Sequence, residues 1–557
     1  MEDNRDMVDH EGITKRRAGK RRLPPKWVWI IVALLGLTIV VLRVSDLLGD
    51  HAFANMATWI LSFLAVLVLL GWWLLFSGLS RRARLAILAA LAAAVAGFCT
   101  LFRVDHVSGE LVPSFVYRFA PKVDQQMAPA EPETGGHGPK VDLGTATPDD
   151  FPQFLGPGRA ATLEGVRLDL DARWPPPLVW RHAIGAGWSG FAVRNGHAVT
   201  MEQRDELEMV TCYNVQTGRL EWSHGTATRH ETTAGGVGPR CTPTIDRGKV
   251  FALGATGWLC CMDGATGRCL WEKDLLAEFG VTPEEELAAV AWGRAASPLV
   301  VGERVIVPAG GMRDGHPVSL AAFDAHDGHP LWQAGQRQIS YSSPALATLA
   351  GVEQVLIVNE DTASGHDPRT GRVLWEHEWP GRSYRDPNTC QAVPVPPDRV
   401  FLSKGYTQGA MLLRLIPRPA TISDGARYPD GAFDTEVVWQ NPKVMRTKFS
   451  NVTVLNGCVY GLSDGILECI DLASGQRIWK DGRYHHGQIL RVGEVLVVMS
   501  EWGEIVLVEA TPDRPNHVLG RFQALEGMSW NTVALAGRYL LVRNAAEAAC
   551  YRVGIGE

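Results

Sequence analysis

The stretch 258–271, WLCCMDGATGRCLW, constrains the fold more than any other part of the chain, because its pattern keeps returning. It reads as a short strand ending in Asp263, a tight turn through Gly264 to Gly267, and a second short strand ending in Trp271. Asp263 can accept hydrogen bonds from the amides ahead of it, and Gly267 tolerates the positive φ that closes such a turn. The phrase recurs from Asn214 through Gly218 to Trp222 and from Asp324 through Gly328 to Trp332. It returns again from Asp367 through Gly371 to Trp375, and from Asp471 through Gly475 to Trp479. In all five the tryptophan follows the glycine by four residues. A repeat this regular decides the architecture before local propensities do.

Trp180, Trp222, Trp271, Trp332, Trp375, Trp439 and Trp479 mark seven unit ends, and residues 518–522 stand where an eighth would fall. Between the marks, short β-rich runs such as Lys249–Leu253, Arg304–Pro308, 400–404, 459–462 and 494–499 alternate with Gly and Asn/Asp turns. Units of about 40 residues with four short strands are the mark of a propeller blade, whereas solenoid repeats are usually shorter. The two ends complete each other. Residues 177–184 (PLVWRHAI) carry the tryptophan strand without the earlier part of a unit, and residues 547–553 (EAACYRV) carry the earlier strand without its tryptophan partner. Pairing them closes a ring and removes its exposed edges. The expected fold is all-β: an eight-bladed β-propeller over 150–557, with seven blades as the alternative.

Ahead of it lie three apolar segments, 27–42, 54–76 and 85–102. The second is long enough to span a bilayer outright, and the others need their flanks, since about 20 residues cross the hydrocarbon. A cleaved signal peptide does not account for the first, because no small-residue cleavage site follows and two more apolar segments do. Lys15, Arg16, Arg17, Lys20, Arg21, Arg22 and Lys26 crowd the tail 1–26, and Arg81, Arg82 and Arg84 stand in or beside the second loop. The positive-inside rule then puts the tail and that loop in the cytoplasm and everything after the third helix outside. Residues 27–103 are expected to form a three-helix transmembrane anchor, and the Pro/Gly-rich 104–149 a linker that is extended or disordered at 121–149. A formal net charge of −6 gives no reason to expect nucleic acid. Cys212, Cys261 and Cys469 each lie two residues before the turn Asn or Asp, which suits a small buried strand position better than a disulfide framework.

The phrase Asp-x-x-Thr-Gly-x-x-x-Trp resembles the PQQ-like β-propeller repeat of the quinoprotein alcohol dehydrogenase-like superfamily, and the resemblance covers about 400 residues. It implies that each tryptophan docks between neighbouring blades. The fifth unit departs from the pattern, with an insertion reaching Trp439, and the seventh is degenerate at Glu509 and Pro512. A second insertion, 282–289 (TPEEELAA), reads as a short capped surface helix.

The family holds enzymes and scaffolds, so function rests on the site. Its dehydrogenases use an adjacent cysteine pair near the cofactor, a calcium held by acid and amide side chains, and a catalytic aspartate. Cys260-Cys261 is adjacent, but it lies in a repeat strand in register with Thr211-Cys212 and Glu468-Cys469, and strand neighbours point to opposite faces. The chain holds no phosphate-binding G-x-x-x-x-G-K-[ST] loop, no H-E-x-x-H helix and no C-x-x-C pair. His485-His486 has no ligand spacing around it and reads as a surface or channel pair. Counting back from the turn before each second strand selects Trp188, Arg240, Arg294, Tyr341, Thr389, Lys448, His485 and Trp530, one per unit. In a propeller these ring one mouth of the central channel. The set is cationic and aromatic, without a carboxylate, which suits a small anionic, sugar-like or peptide ligand. A mouth that is polar only because water fills it is the plainer reading.

The expectation is a non-enzymatic, membrane-anchored scaffold in a bacterial envelope, multi-pass in the inner membrane, with its propeller in the periplasm. It needs no cofactor and no metal, and it meets an envelope protein or a small ligand. The resemblance supports this through the family's lipoprotein of the outer-membrane β-barrel assembly machinery. The alternative is a periplasmic PQQ-dependent dehydrogenase, with PQQ and calcium, that oxidises an alcohol or sugar and passes electrons to membrane quinone. Membrane glucose dehydrogenases, which join several N-terminal helices to an eight-bladed domain, lend it weight.

Overall fold

The computed structural model describes residues 23–45, 47, 49–131, 141–170, 174–313, 315–418 and 432–556. The basic residues 15–22 and the middle of the fifth-unit insertion, 419–431, lie outside the described residues. The chain forms two compact units, Met1–Leu48 with Ala52–Arg103, and Gly49–His51 with Val104–Glu557.

The first unit contains α1 (Lys26–Val44), α2 (His51–Phe76) and α3 (Arg81–Leu101). At 19, 26 and 21 residues they are long and apolar enough to cross a membrane. Ser80 caps α3 by accepting from the Ala83 amide at 3.2 Å.

The second unit is an eight-bladed β-propeller. Blades 1 to 7 span 192–227, 244–274, 299–334, 345–378, 393–441, 453–483 and 488–523, and blade 8 joins 534–552 to Leu178–Ala183. Each blade is an antiparallel sheet running outward from the channel, so the middle strands are covered on both faces by neighbouring blades. Lys249–Leu253 is accordingly buried along nearly its whole length, while the outer strand Cys269–Asp274 buries only its tryptophan. Closure follows the expected pairing: Glu547–Arg552 lies antiparallel to Leu178–Ala183, with Cys550 opposite Trp180. The eighth blade settles the count.

The recurring turn works as a socket. Asp263 Oδ1 accepts from the Ala265 and Thr266 amides at 3.2 and 3.0 Å and from the Thr266 hydroxyl at 2.8 Å. Gly267 has φ +70°, and a Cβ there would sit 2.5 Å from Cε3 of Trp222 on blade 1. The glycine is thus required twice, by the turn and by the indole pressed onto it. Gly218, Gly328, Gly371 and Gly475 meet Trp180, Trp271, Trp332 and Trp439 in the same way. Each of these indoles reaches over one blade boundary, and those of Trp180, Trp222, Trp271 and Trp439 donate their N–H to the carbonyl just past the turn Asn or Asp. Trp180 donates to Val215 at 2.7 Å, Trp222 to Gly264 at 2.9 Å and Trp439 to Leu472 at 2.9 Å. Trp375 faces blade 5, which lacks the repeat turn, and donates instead to Gln354 Oε1 within its own blade at 2.6 Å.

The 282–289 insertion is the helix Pro283–Ala289, held by a reciprocal cap between Thr282 and Glu285. The described part of 121–149 is packed rather than loose, and it includes a short 3-10 helix at Asp124–Gln126. Leu143 is buried with the core of blades 1 and 2, Ala130 O accepts from Ser223, and Asp124 pairs with Arg229 at 2.7 Å. Beyond it the chain crosses the channel. Phe151 bridges Val193 of blade 1, Pro152 O accepts from Ile245 of blade 2, and Thr162–Leu163 runs parallel to the inner strand of blade 7.

Candidate functional site at the channel mouth

The eight residues selected by register all stand in the loops that lead into the inner strands, from three residues ahead (His485 before Gln488) to five (Arg294 before Leu299). They do not form one even ring. Trp188 and Trp530, from the adjacent blades 1 and 8, pack with centroids 4.8 Å apart, and Trp530 continues to Phe449 at 5.2 Å. Trp188 Nε1 donates to Gly235 O at 2.7 Å, and Arg240 donates to the same carbonyl. Tyr341 stacks on Trp292 at 5.3 Å and donates to Ser383 O at 2.9 Å. The Thr389 hydroxyl donates to Lys448 O.

The charged members have carboxylate neighbours that the register did not select. Arg294 Nε lies 2.7 Å from Glu286 Oε1 on the insertion helix, and its Nη1 donates to the carbonyls of Pro308 and Ala309. Lys448 Nζ lies 2.8 Å from Asp50 Oδ1 and 3.7 Å from Asp464 Oδ1, with lysine and both acids buried. His485 Nδ1 is 3.2 Å from Glu110 Oε1, and Trp530 Nε1 donates to Glu501 Oε1 at 3.0 Å. Arg240 is half-buried, and its desolvation pushes its guanidinium down to about 10, while Tyr341 and Glu208 nearby pull the other way. The hydrogen bond from His485 is the main reason that Glu110 is held down to about 2. The His486 ring packs against Gly109 and Phe449; burial first and Lys448 second push its imidazole well below its usual value.

Asp464 and Glu501 come from the hairpins between second and third strands, at the same end of their blades as the lead-in loops. Aligning those hairpins as well would have selected them. A second missed feature links the blades. The Gly190 amide donates to Thr242 Oγ1, the Thr242 amide to Ser297 Oγ and the Ser297 amide to Ser343 Oγ, at 3.0, 2.9 and 2.9 Å. On the far side the Gln391 amide donates to Asn451 Oδ1 at 2.9 Å, and Asn451 is buried. The readable signal was a hydroxyl residue followed by proline, as in Thr242-Pro243, Ser297-Pro298 and Ser343-Pro344.

Inside the ring, Arg159 donates to Pro298 O at 2.7 Å and Ser297 O at 2.8 Å, and Gln391 donates to Arg159 O. The cysteine pair lies away from the channel, on the third strand of blade 2. Cys260 is opposite Glu272 and gathers with His224 of blade 1, whereas Cys261 is opposite Trp271 and faces Ala325 O of blade 3 at 3.9 Å. The two thiols therefore point towards opposite neighbouring blades. This arrangement does not fit a quinone resting on a vicinal pair.

Comparison with known proteins gives consistent fold relatives. The family described as Outer membrane protein assembly factor BamB matches residues 206–481. A protein of that name from Shewanella oneidensis is 28% identical over 141 residues, which cover 25% of this chain and 32% of that relative, so the aligned part spans about a third of its length. Among solved structures, the quinohemoprotein alcohol dehydrogenase from Comamonas testosteroni superposes with a TM-score of 0.50 at 13% identity, covering 75% of this chain and 82% of that one. BamB from Moraxella catarrhalis gives a TM-score of 0.45 at 14% identity, covering 68% and 97%.

Proposed function

We propose, for a chain that is a PQQ-like β-propeller repeat protein, that it is a membrane-anchored scaffold for envelope proteins and works without PQQ. The observation that carries this reading is the outer rim. One residue before five of the seven tryptophans, Val179, Leu270, Leu331, Val438 and Ile478 present aliphatic side chains to solvent at 36–42% exposure, whereas Glu221 precedes Trp222. A repeated, outward apolar position of this kind is a surface for protein contact. Blade 4 shows how such a position is covered. Leu374 is buried in one cluster with Leu415, Ala432 and Phe433, which belong to or adjoin the long outer hairpin of blade 5.

The mouth supports the same reading, because Arg294, Lys448 and His485 already face carboxylates of the chain itself. The Shewanella relative is named an outer-membrane protein assembly factor, and partners of that general kind, proteins of the envelope, are proposed here. The helices and the basic tail support an inner-membrane anchor with the propeller in the periplasm. Photo-crosslinkers placed at Leu270, Leu331 and Ile478 in native membranes test both parts. Discrete adducts with periplasmic or outer-membrane proteins are expected. Adducts with cytoplasmic proteins would refute the orientation, and no adduct at any rim position would refute the scaffold.

A further inference from the structure

The sector of the mouth between blades 6 and 7 holds two short turns of the chain in matching cradles. Both turns read glycine then acid, Gly49-Asp50 and Gly109-Glu110, and both belong to the propeller's compact unit. In the first cradle, Lys448 Nζ meets Asp50 Oδ1 at 2.8 Å and Arg446 Nη1 donates to Gly49 O at 2.8 Å. The next amide, that of His51, donates to Asp464 Oδ2 at 2.9 Å. In the second, Arg483 Nη1 and His485 Nδ1 meet Glu110 Oε1 at 2.7 and 3.2 Å, and the Gly109 amide donates to Glu501 Oε1 at 2.7 Å.

The chemistry is the same in both. A cation takes the acid, and a buried carboxylate takes a backbone amide beside it, so charge and direction are both read. The glycine is read as well. A Cβ on Gly109 would lie 2.3 Å from Cδ2 of His486, and one on Gly49 would lie 2.9 Å from Cγ2 of Thr407.

We propose that this sector is a receptor for Gly-Asp and Gly-Glu turns, and that the chain's own turns at 49–51 and 108–110 occupy it. The mouth cations then serve as an internal latch, and any external acidic ligand must displace a turn to reach them. Hydrogen–deuterium exchange on the purified full-length protein in detergent tests this, because the His51 and Gly109 amides report the two cradles separately. Lys448→Asp is expected to speed exchange at His51 at least tenfold and to leave blades 1 to 4 unchanged. Asp50→Lys combined with Lys448→Asp is expected to restore protection. Glu110→Gln, at a half-buried position, is expected to speed exchange at Gly109 and not at His51. Unchanged exchange at both turns in the folded variants overturns the proposal. Should Lys448→Asp fail to fold, the Glu110→Gln result decides alone.

Discussion

Trp222→Ala is expected to lower the unfolding free energy of the propeller by about 3–5 kcal/mol, the usual cost of removing a large buried aromatic. Trp222 is 4% exposed, its ring covers Gly267, and its N–H satisfies the Gly264 carbonyl. Truncation leaves a cavity between blades 1 and 2 and an orphaned acceptor, and neither can relax while the two sheets keep their separation. Exposed Trp502, which docks into no turn, is the matched control and should cost under about 1 kcal/mol. Urea midpoints measured at constant slope read both effects. A Trp222→Ala midpoint equal to that of Trp502→Ala would mean that the indole does not join the blades.

A comparable loss is expected at the seam where the ring closes. Arg543 of blade 8 is fully buried and donates to Thr200 Oγ1, Met201 O and Gly185 O at 2.7, 2.6 and 2.9 Å, the first two on blade 1. Burial pushes its guanidinium down to about 10, against the pull of Glu202. Glu202 is itself buried, which pushes its carboxyl up, yet Arg204, Arg543, the Tyr213 hydroxyl and the Gly185 amide hold it low overall. Arg543→Met keeps most of the volume but strands three acceptors and removes one of two cations facing a buried carboxylate, at a cost of about 3–5 kcal/mol. Exchange protection should fall first in Leu178–Ala183 and its partner Glu547–Arg552. Uniform loss around the ring would argue against a seam that opens before the rest.

The fold is most legible where the chain repeats itself. The Asp263–Gly267 turn and Trp271 could be read because five copies share one spacing, and a spacing fixed by steric contact survives when other residues drift. Closure was legible because residues 177–184 and 547–553 are complementary fragments of one unit. The mouth was legible only in part. Register places Arg294, Lys448 and His485, since each repeat supplies one lead-in loop. Their partners Glu286, Asp50 and Glu110 come from elements that do not repeat: a helix inserted between blades 2 and 3, a turn ahead of α2 and a turn after α3. Lys448 and Asp50 are 398 residues apart, a separation no local pattern signals. The packing of 141–149 was hidden for a related reason. Short polar segments with a single buried anchor such as Leu143 look like linker until a folded surface is there to receive them.

The proposed scaffold is a PQQ-like propeller that works without PQQ. Titrating the purified full-length protein with PQQ and calcium, while recording quinone absorbance and dye reduction with alcohols and sugars, tests it most directly. No saturable binding and no turnover are expected. Stoichiometric uptake of PQQ with substrate-dependent dye reduction would contradict it and identify the chain as a dehydrogenase.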